Sequence, residues 1–489
     1  MTTLAVGAAP AFEPGPTDLY IDGTFVPAQS GGRFAVLDPA TDEILASVAD
    51  ADEHDARRAL DAAVAASAAW ASTAARDRGE ILRRAFDLLM TRRERFAMTM
   101  SFEMGKPLDQ AQGEIGYGGE FLRWFGEEAP RIAGRISDNP EGTGTMVIRR
   151  RPVGPCLLVT PWNFPLAMAT RKIAPALAAG CTVVMKPAEQ TPLTTLLLAE
   201  LLAEAGVPDG VVNVVTTTRS PEVVGSLLDD PRLRKLSFTG STRVGRELIA
   251  RAGRNVLRTS MELGGNAPFL VFEDADLDVA VASAMLAKFR NMGQACTAAN
   301  RFLVHRSISA AFTDRLVDEI AQLRVGPGTE PGVDIGPLIT PEAVAEIERL
   351  VGDAARRGAC VRRGGNALPA TGSFYQPTVV TAVPVDSAIC REEIFGPVLP
   401  IAEFDTEQEA LRLANDTEYG LVAYAFTQDM SRVGRLMDGL ETGMLGINTG
   451  IVSNAAAPFG GVKQSGTGRE GGIEGIDEYL ATTYTLVAR

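Results

Sequence analysis

Apolar residues change their period along this chain, and the changes divide it into segments. Residues 18–50 set short apolar runs between Gly, Pro and Asp, which predicts brief strands joined by turns. Helical spacing takes over at 55–70, which is rich in alanine. It continues where Ile81, Leu82, Ala85, Leu88 and Leu89 recur at three- and four-residue intervals. Gly105 and Pro107 end that second helix, and a third runs to Phe125 before Pro130 stops it. Residues 131–151 switch to two alternating runs around an Asn-Pro-Glu-Gly turn, the pattern of a β-hairpin. From 152 to about 262, short apolar runs at 156–160, 182–185, 211–215 and 234–238 alternate with helices. One of these helices reaches Ala179; another starts at Thr191 and stops at Gly206, with Pro208 beyond. Such alternation predicts a parallel, doubly wound sheet. A second α/β alternation spans about 265–450, and 478–488 has the Thr, Tyr, Leu and Val content of a terminal strand suited to pairing with another subunit.

Length and charge narrow the options. A chain of 489 residues is too long for one core and predicts two or three domains. With 46% hydrophobic and 22% charged residues, disorder is not its main theme. The net charge of −14 repels nucleic acid and anionic membranes, and no basic run offsets it. An anionic ligand therefore needs a local cluster of Arg, Lys or backbone N–H groups. Residues 1–16 lack the basic residues and apolar stretch of a secretory leader. No apolar run approaches the ~18–20 residues of a membrane span. Five scattered cysteines without a CxxC pair read as reduced thiols, so a cytoplasmic protein is expected. Two histidines leave almost nothing for a His-based triad or a multi-His metal site, and no metal is expected.

Four stretches carry candidate chemistry. In RKLSFTGSTRVGRELIA (234–250) a strand, a turn at Gly240-Ser241 and a helix present N–H groups suited to a pyrophosphate. The run is neither GxGxxG nor a P-loop, so a packing glycine in a tight turn is the competing reading. Lys186 and Glu189, at the end of a neighbouring strand, could hydrogen-bond a ribose or form a solvated turn. A carboxylate there would repel a 2′-phosphate and favour NAD over NADP. Glu262 precedes a Gly-Gly turn, and Cys296 follows a flexible Gly-Gln; on type alone a cysteine is more often a small buried hydrophobe than a nucleophile.

Seven motifs in one order resemble the aldehyde dehydrogenase superfamily across nearly the whole chain: PWNFP (161–165), KPAEQTP (186–192), FTGSTRVG (238–245), ELGGNAP (262–268), GQAC (293–296), EEIFGPV (392–398) and PFGGVKQSG (458–466). KFRNMGQAC (288–296), GINTG (446–450) and PFGGVKQSGTGREG (458–471) resemble the succinate-semialdehyde dehydrogenases within it. The resemblance implies an α/β, aldehyde-dehydrogenase-like fold in three parts. These are a Rossmann-type NAD-binding domain (1–130 and 151–262), an α/β catalytic domain (263–450) and a small β oligomerisation element (131–150 and 470–489) of a dimer or tetramer. It implies Cys296 as nucleophile, Glu262 as base, and an oxyanion hole from the Asn163 side chain and the Cys296 N–H. Lys186 and Glu189 would hold the adenosine ribose and Gly240 and Ser241 the pyrophosphate. Glu393 and Phe395 would position the nicotinamide half, with Trp162 also at the cofactor, which is NAD or alternatively NADP. Arg171, Arg290 and Ser453 match the positions that clamp the distal carboxylate of succinate semialdehyde; glutarate semialdehyde could use the same clamp, and structural salt bridges are the competing reading.

The chemistry is coherent. A thiolate attacks an aldehyde far better than a thiol, the oxyanion needs fixed donors, and with so few histidines a partly desolvated carboxylate suits the activation of water. Ala298 stands where many of these relatives carry a second cysteine, so no local disulfide switch is expected. An acylating variant passing its thioester to coenzyme A or phosphate is opposed by Glu262. A structural relative without turnover is opposed by the presence of Cys296, Glu262 and Asn163 together.

Overall fold

The computed structural model describes residues 12–489; the first eleven residues of the stretch read above for a leader lie outside them. Two antiparallel pairs, β1 (Leu19–Ile21) with β2 (Thr24–Val26) and β3 (Arg33–Leu37) with β4 (Ile44–Ala49), account for the Gly- and Asp-rich start. Helix α1 (Glu53–Ser72) follows, its first turn closed by a reciprocal cap between Asp52 and Asp55. The helix expected to run to Gly105 is in fact two, α2 (Ala75–Thr91) and α3 (Arg93–Met104), broken at Arg92. No Gly or Pro marks the break. It lets α2 lie along α4 (Leu108–Glu128) while α3 turns to pack on both α4 and α6 (Leu193–Glu204), and Arg92 itself pairs with Glu204 of α6. The predicted hairpin is β5 (Arg135–Asp138) and β6 (Gly144–Pro152).

The first α/β alternation is β7 (Cys156–Val159), α5 (Pro165–Ala179), β8 (Val183–Lys186), α6, β9 (Val212–Val214), α7 (Ser220–Leu228), β10 (Lys235–Thr239), α8 (Thr242–Ala252) and β11 (Arg258–Glu262). Strands β7 and β8 are buried throughout, which is why they read as unbroken apolar runs. Their sheet has the order β2-β1-β9-β8-β7-β10-β11-β21, with β7 to β11 parallel and β21 (Gly466–Thr467) returning antiparallel from the far end of the chain. The chain winds from β7 through β8 to β9, then restarts at β10 on the other side of β7. That reversal opens a crevice at the carboxyl ends of β7 and β10, where open α/β sheets bind ligands.

The second alternation starts with β12 (Ala267–Val271), α9 (Leu277–Phe289) and β13 (Ala299–His305). It continues through β14 (Cys360–Arg363), β15 (Thr378–Thr381), β16 (Val398–Phe404), β17 (Tyr419–Gly420), β18 (Val422–Phe426) and β19 (Met444–Ile447). Its sheet order is β14-β15-β16-β13-β12-β18-β19, while β17 pairs separately with β20 (Val462–Lys463). Only the turn 263–266 separates β11 of the first sheet from β12 of the second, so Glu262 stands at the seam between them. The terminal strand β22 (Leu480–Ala488) pairs along its whole length with β6, giving a third sheet, β22-β6-β5.

Candidate active site

At the crevice, Lys186 ends β8 and is buried, with its Nζ 3.7 Å from the half-exposed Glu189 carboxylate. Burial lowers the lysine pKa, and Glu189 opposes that shift. Ser241 caps α8, its hydroxyl accepting from the Val244 N–H. Gly240 serves the protein more directly than the ligand: a Cβ there would lie 2.5 Å from the Phe238 ring. At Gly245 a Cβ would lie 2.4 Å from Leu263, so this glycine lets α8 settle onto the residue after Glu262. The cleft has a volume of about 810 Å³ and is lined by Trp162, Lys186, Glu189, Gly240, Ser241 and the apolar Val244. A cationic Lys, a helix N-terminus and apolar walls fit the adenosine and pyrophosphate half of a dinucleotide. From α7 comes a further wall, Val224, which no local motif announces.

Trp162, on the wall of this cleft, meets Phe395 edge to face with ring centroids 5.4 Å apart. Phe395 has a left-handed backbone (φ 50°). Beside it, Glu393 accepts the Gly265 N–H at 3.2 Å and is pushed up to about 7 by burial. The sequence-derived cofactor residues thus form one path, from Glu189 at the outer end to Glu393 against the Gly264-Gly265 turn.

That turn leads to the chemical centre. A Cβ on Gly265 would lie 2.6 Å from the Cys296 carbonyl, so the glycine is what lets the loop bearing Glu262 close on the loop bearing Cys296. Three successive left-handed residues, Asn291 (φ 55°), Met292 (φ 56°) and Gly293 (φ 75°), coil the chain just before Cys296. The Asn291 Nδ2 donates to the carbonyls of Asn163 (3.0 Å) and Gln294 (2.9 Å), and the Asn163 Nδ2 donates to the Gln294 carbonyl (3.1 Å). These bonds tie the 161–165 loop to the 290–296 loop. An amide nitrogen has two N–H bonds, so Asn163 retains one beyond that to Gln294.

Electrostatics oppose spontaneous ionisation of the reacting groups. Burial pushes the Cys296 thiol up to about 12, with Arg171 and Arg290 pulling down and Glu393 and Glu262 pushing up. Glu262 is buried, its Oε2 without a hydrogen-bond partner, and burial followed by the charge of Glu470 raises it well above the carboxylate range. Burial acts upward on Glu470 as well, but Lys172 and Arg171 outweigh it and hold that carboxylate below its usual range.

Arg171 on α5 is buried, paired with Glu470, and its guanidinium lies 3.9 Å from the Phe459 ring centroid. Its Nη2 is buried without a hydrogen-bond partner. Arg290 reaches over the Phe164 ring at 5.4 Å. Phe164, Ala167, Met168, Ala295 and Ala298, with Tyr117 packed against them, form an apolar cluster that includes the neighbour of Cys296 and the ring under Arg290. Ser453 comes beside Tyr117. Arg171, Arg290 and Ser453 all come near Tyr117, although Arg171 also carries the salt bridge of the competing reading. Sequence reasoning missed Glu470, Lys172, Asn291 and Tyr117. Glu470 lies inside a quoted motif, but only its contact across the fold shows what it does.

A dinucleotide-sized cleft together with a half-buried thiol and a buried carboxylate is the arrangement of an oxidoreductase that holds its substrate covalently while oxidising it. The chain belongs to the aldehyde dehydrogenase family, which matches residues 25–485. A succinate-semialdehyde dehydrogenase of Paenarthrobacter nicotinovorans is 57% identical over 445 residues, covering 91% of this chain and 99% of that protein. A glutarate-semialdehyde dehydrogenase of Pseudomonas aeruginosa is 47% identical over 465 residues, covering 95% and 96%. The crystal structure of succinate-semialdehyde dehydrogenase from Burkholderia pseudomallei superposes with a TM-score of 0.97 at 46% identity, covering 99% of this chain and 100% of that one. The α/β fold expected from the motifs holds across the described residues, and the protein is an enzyme of NAD(P)-dependent aldehyde oxidation.

Proposed function

We propose that the enzyme oxidises an aldehyde bearing a distal carboxylate, with succinate semialdehyde as substrate and succinate as product. The observation that carries this reading is the pair of cations, Arg171 and Arg290, that both act on Cys296, next to an apolar cluster and with Ser453 beside Tyr117. Arginine suits a carboxylate because its planar fork donates two parallel bonds, and two local cations offset the overall charge of −14. The similar glutarate-semialdehyde dehydrogenase supports a second reading, a chain one methylene longer held by the same cations.

Cys296 attacks the aldehyde carbon, and the oxyanion is held by the free Asn163 N–H and the Cys296 backbone N–H; one such donor contributes ~3 kcal/mol of barrier. When bound, the oxidised dinucleotide supplies a hydride acceptor and a positive charge near the sulfur. Glu262 takes a proton from water, which attacks the Cys296 thioester and releases the acid. Glu393 and Phe395 orient the nicotinamide half, Lys186 and Glu189 the adenosine ribose, and Gly240 and Ser241 the pyrophosphate. The half-exposed Glu189 favours NAD, because it would repel a 2′-phosphate.

The three sheets support a division into a dinucleotide-binding unit (1–130 and 151–262), a catalytic unit (263–450) and an oligomerisation element (131–150 and 470–489). The five free cysteines support a reducing, cytoplasmic setting. No helix among the described residues is long and apolar enough to cross a membrane.

The decisive experiment compares Arg290→Ala with the parent enzyme on succinate semialdehyde and on butanal. A loss in kcat/KM of about 100-fold for the first and a few-fold for the second is expected from removing a charge-assisted bond. Equal losses on both substrates remove the clamp.

A further inference from the structure

Tyr117 lies on α4, one turn before Phe121, against whose ring it packs edge to face at 5.1 Å. Gly118 lets α4 press on α5, since a Cβ there would lie 3.1 Å from the Ala167 backbone, and this close approach carries the Tyr117 ring into the wall beside Phe164, Met168 and Ala295. So far a phenylalanine would serve equally well. The hydroxyl is different: it is closed off from solvent and makes no hydrogen bond of normal geometry within the protein. A buried polar group left unpaired is costly, and proteins seldom retain one without use. The charges of Arg171, Arg290 and Glu470 all reach it, and the Ser453 side chain lies alongside. Burial raises the phenol pKa against the pull of the two arginines, so the group stays a neutral O–H donor across the working range. Arg171, whose Nη2 is buried without a hydrogen-bond partner, and the Tyr117 hydroxyl, with only Ser453 beside it, are donors left to serve a ligand at this wall.

We propose that the Tyr117 hydroxyl is a fourth anchor of the substrate, donating a hydrogen bond to the distal carboxylate held by Arg171, Arg290 and Ser453. This rests on the reading of an ω-carboxylate substrate given above. Arginines supply charge, which any anion satisfies; a directed O–H at fixed depth sets how far from Cys296 the carboxylate must lie, and so selects chain length.

The test is Tyr117→Phe in the intact enzyme, which keeps the ring and its packing. The ratio of kcat/KM for succinate semialdehyde to that for butanal should fall about tenfold, with the change in KM and not in kcat. Succinate, as an inhibitor of butanal oxidation, should weaken by a similar factor. Equal rises in KM for both aldehydes would assign the residue to packing and overturn the proposal. Should Arg290→Ala change the ratio while Tyr117→Phe leaves it and succinate inhibition unaltered, the tyrosine role alone falls. If neither variant changes the ratio, the carboxylate reading falls and takes this one with it.

Discussion

Two acids reluctant to ionise stand next to one another at the reacting point. With its thiol at about 12, Cys296 is almost wholly protonated at neutral pH, and Glu262 is raised well beyond an ordinary carboxylate. A thiol must lose its proton to attack, and a carboxyl must be ionised to accept one, so both demands push the rate in the same direction. Activity should therefore climb as pH rises through the raised Glu262 pKa and keep climbing toward the alkaline range. A profile already flat from pH 5 upward would contradict that electrostatic picture. Glu262→Gln should permit a burst of NADH of up to one per active site and then turn over ~10²-fold or more slowly, because only hydrolysis has lost its base. Cys296→Ala should give no burst at all; stopped-flow absorbance at the NADH band reads both. Among the candidates, Cys296, Glu262 and Asn163 are legible in sequence because each sits in a contiguous motif, GQAC, ELGGNAP or PWNFP, that carries the family resemblance. Glu470 is not, since its ion-pair partner Lys172 is 298 positions away and only folding brings the charges together.

Elements meet this site through braces that local sequence hides. Helix α5 begins at Pro165 with no side-chain cap of its own. The cap comes from α4: Glu114 accepts the N–H groups of Leu166 (2.9 Å) and Ala167 (3.0 Å), placing a negative charge at the positive end of the helix. Lys106, between α3 and α4, pairs with Glu114 and donates to the Asn163 carbonyl at 2.9 Å. One buried ion pair thus fixes both the start of α5 and the loop that presents Asn163. Removing one partner strands the other charge, so Lys106→Met should destabilise the enzyme by about 3–5 kcal/mol, read from the urea midpoint. The double variant with Glu114→Gln should recover part of that loss; a midpoint unmoved by Lys106→Met would show that the pair braces nothing. Strands and helices themselves are largely legible, because period two and period 3.6 survive in the apolar pattern. The break at Arg92 is not, since helix formers run straight through it and only the different partners of α2 and α3 demand a turn.

At the scale of the molecule, two α/β alternations announce two sheets, but nothing local tells that β21 returns to the first sheet or that β22 crosses to β6. Those pairings join residues some 200 to 340 positions apart, as Glu262 with Gly466 and Ala488 with Gly144 show. The third sheet leaves β22 as an edge nine residues long, with Tyr484 and Leu486 58% and 48% exposed, and Ile136 on β5 73% exposed. A long edge strand bearing apolar side chains is an open template for another chain unless something covers it. A second copy of the enzyme is the partner that the reading of 131–150 and 470–489 as an oligomerisation element requires. A stable contact needs about 800 Å² from each partner, more than one strand edge supplies, so the hairpin β5–β6 must take part as well. The enzyme should therefore sediment as a dimer or tetramer. Leu486→Asp with Tyr484→Asp should shift it to smaller species while leaving the far-ultraviolet circular dichroism unchanged, since neither side chain is buried within the subunit. Sedimentation of the unaltered enzyme as a 52 kDa monomer at micromolar concentration would refute the oligomerisation role, because the exposed strand would then stand in solution with nothing over it.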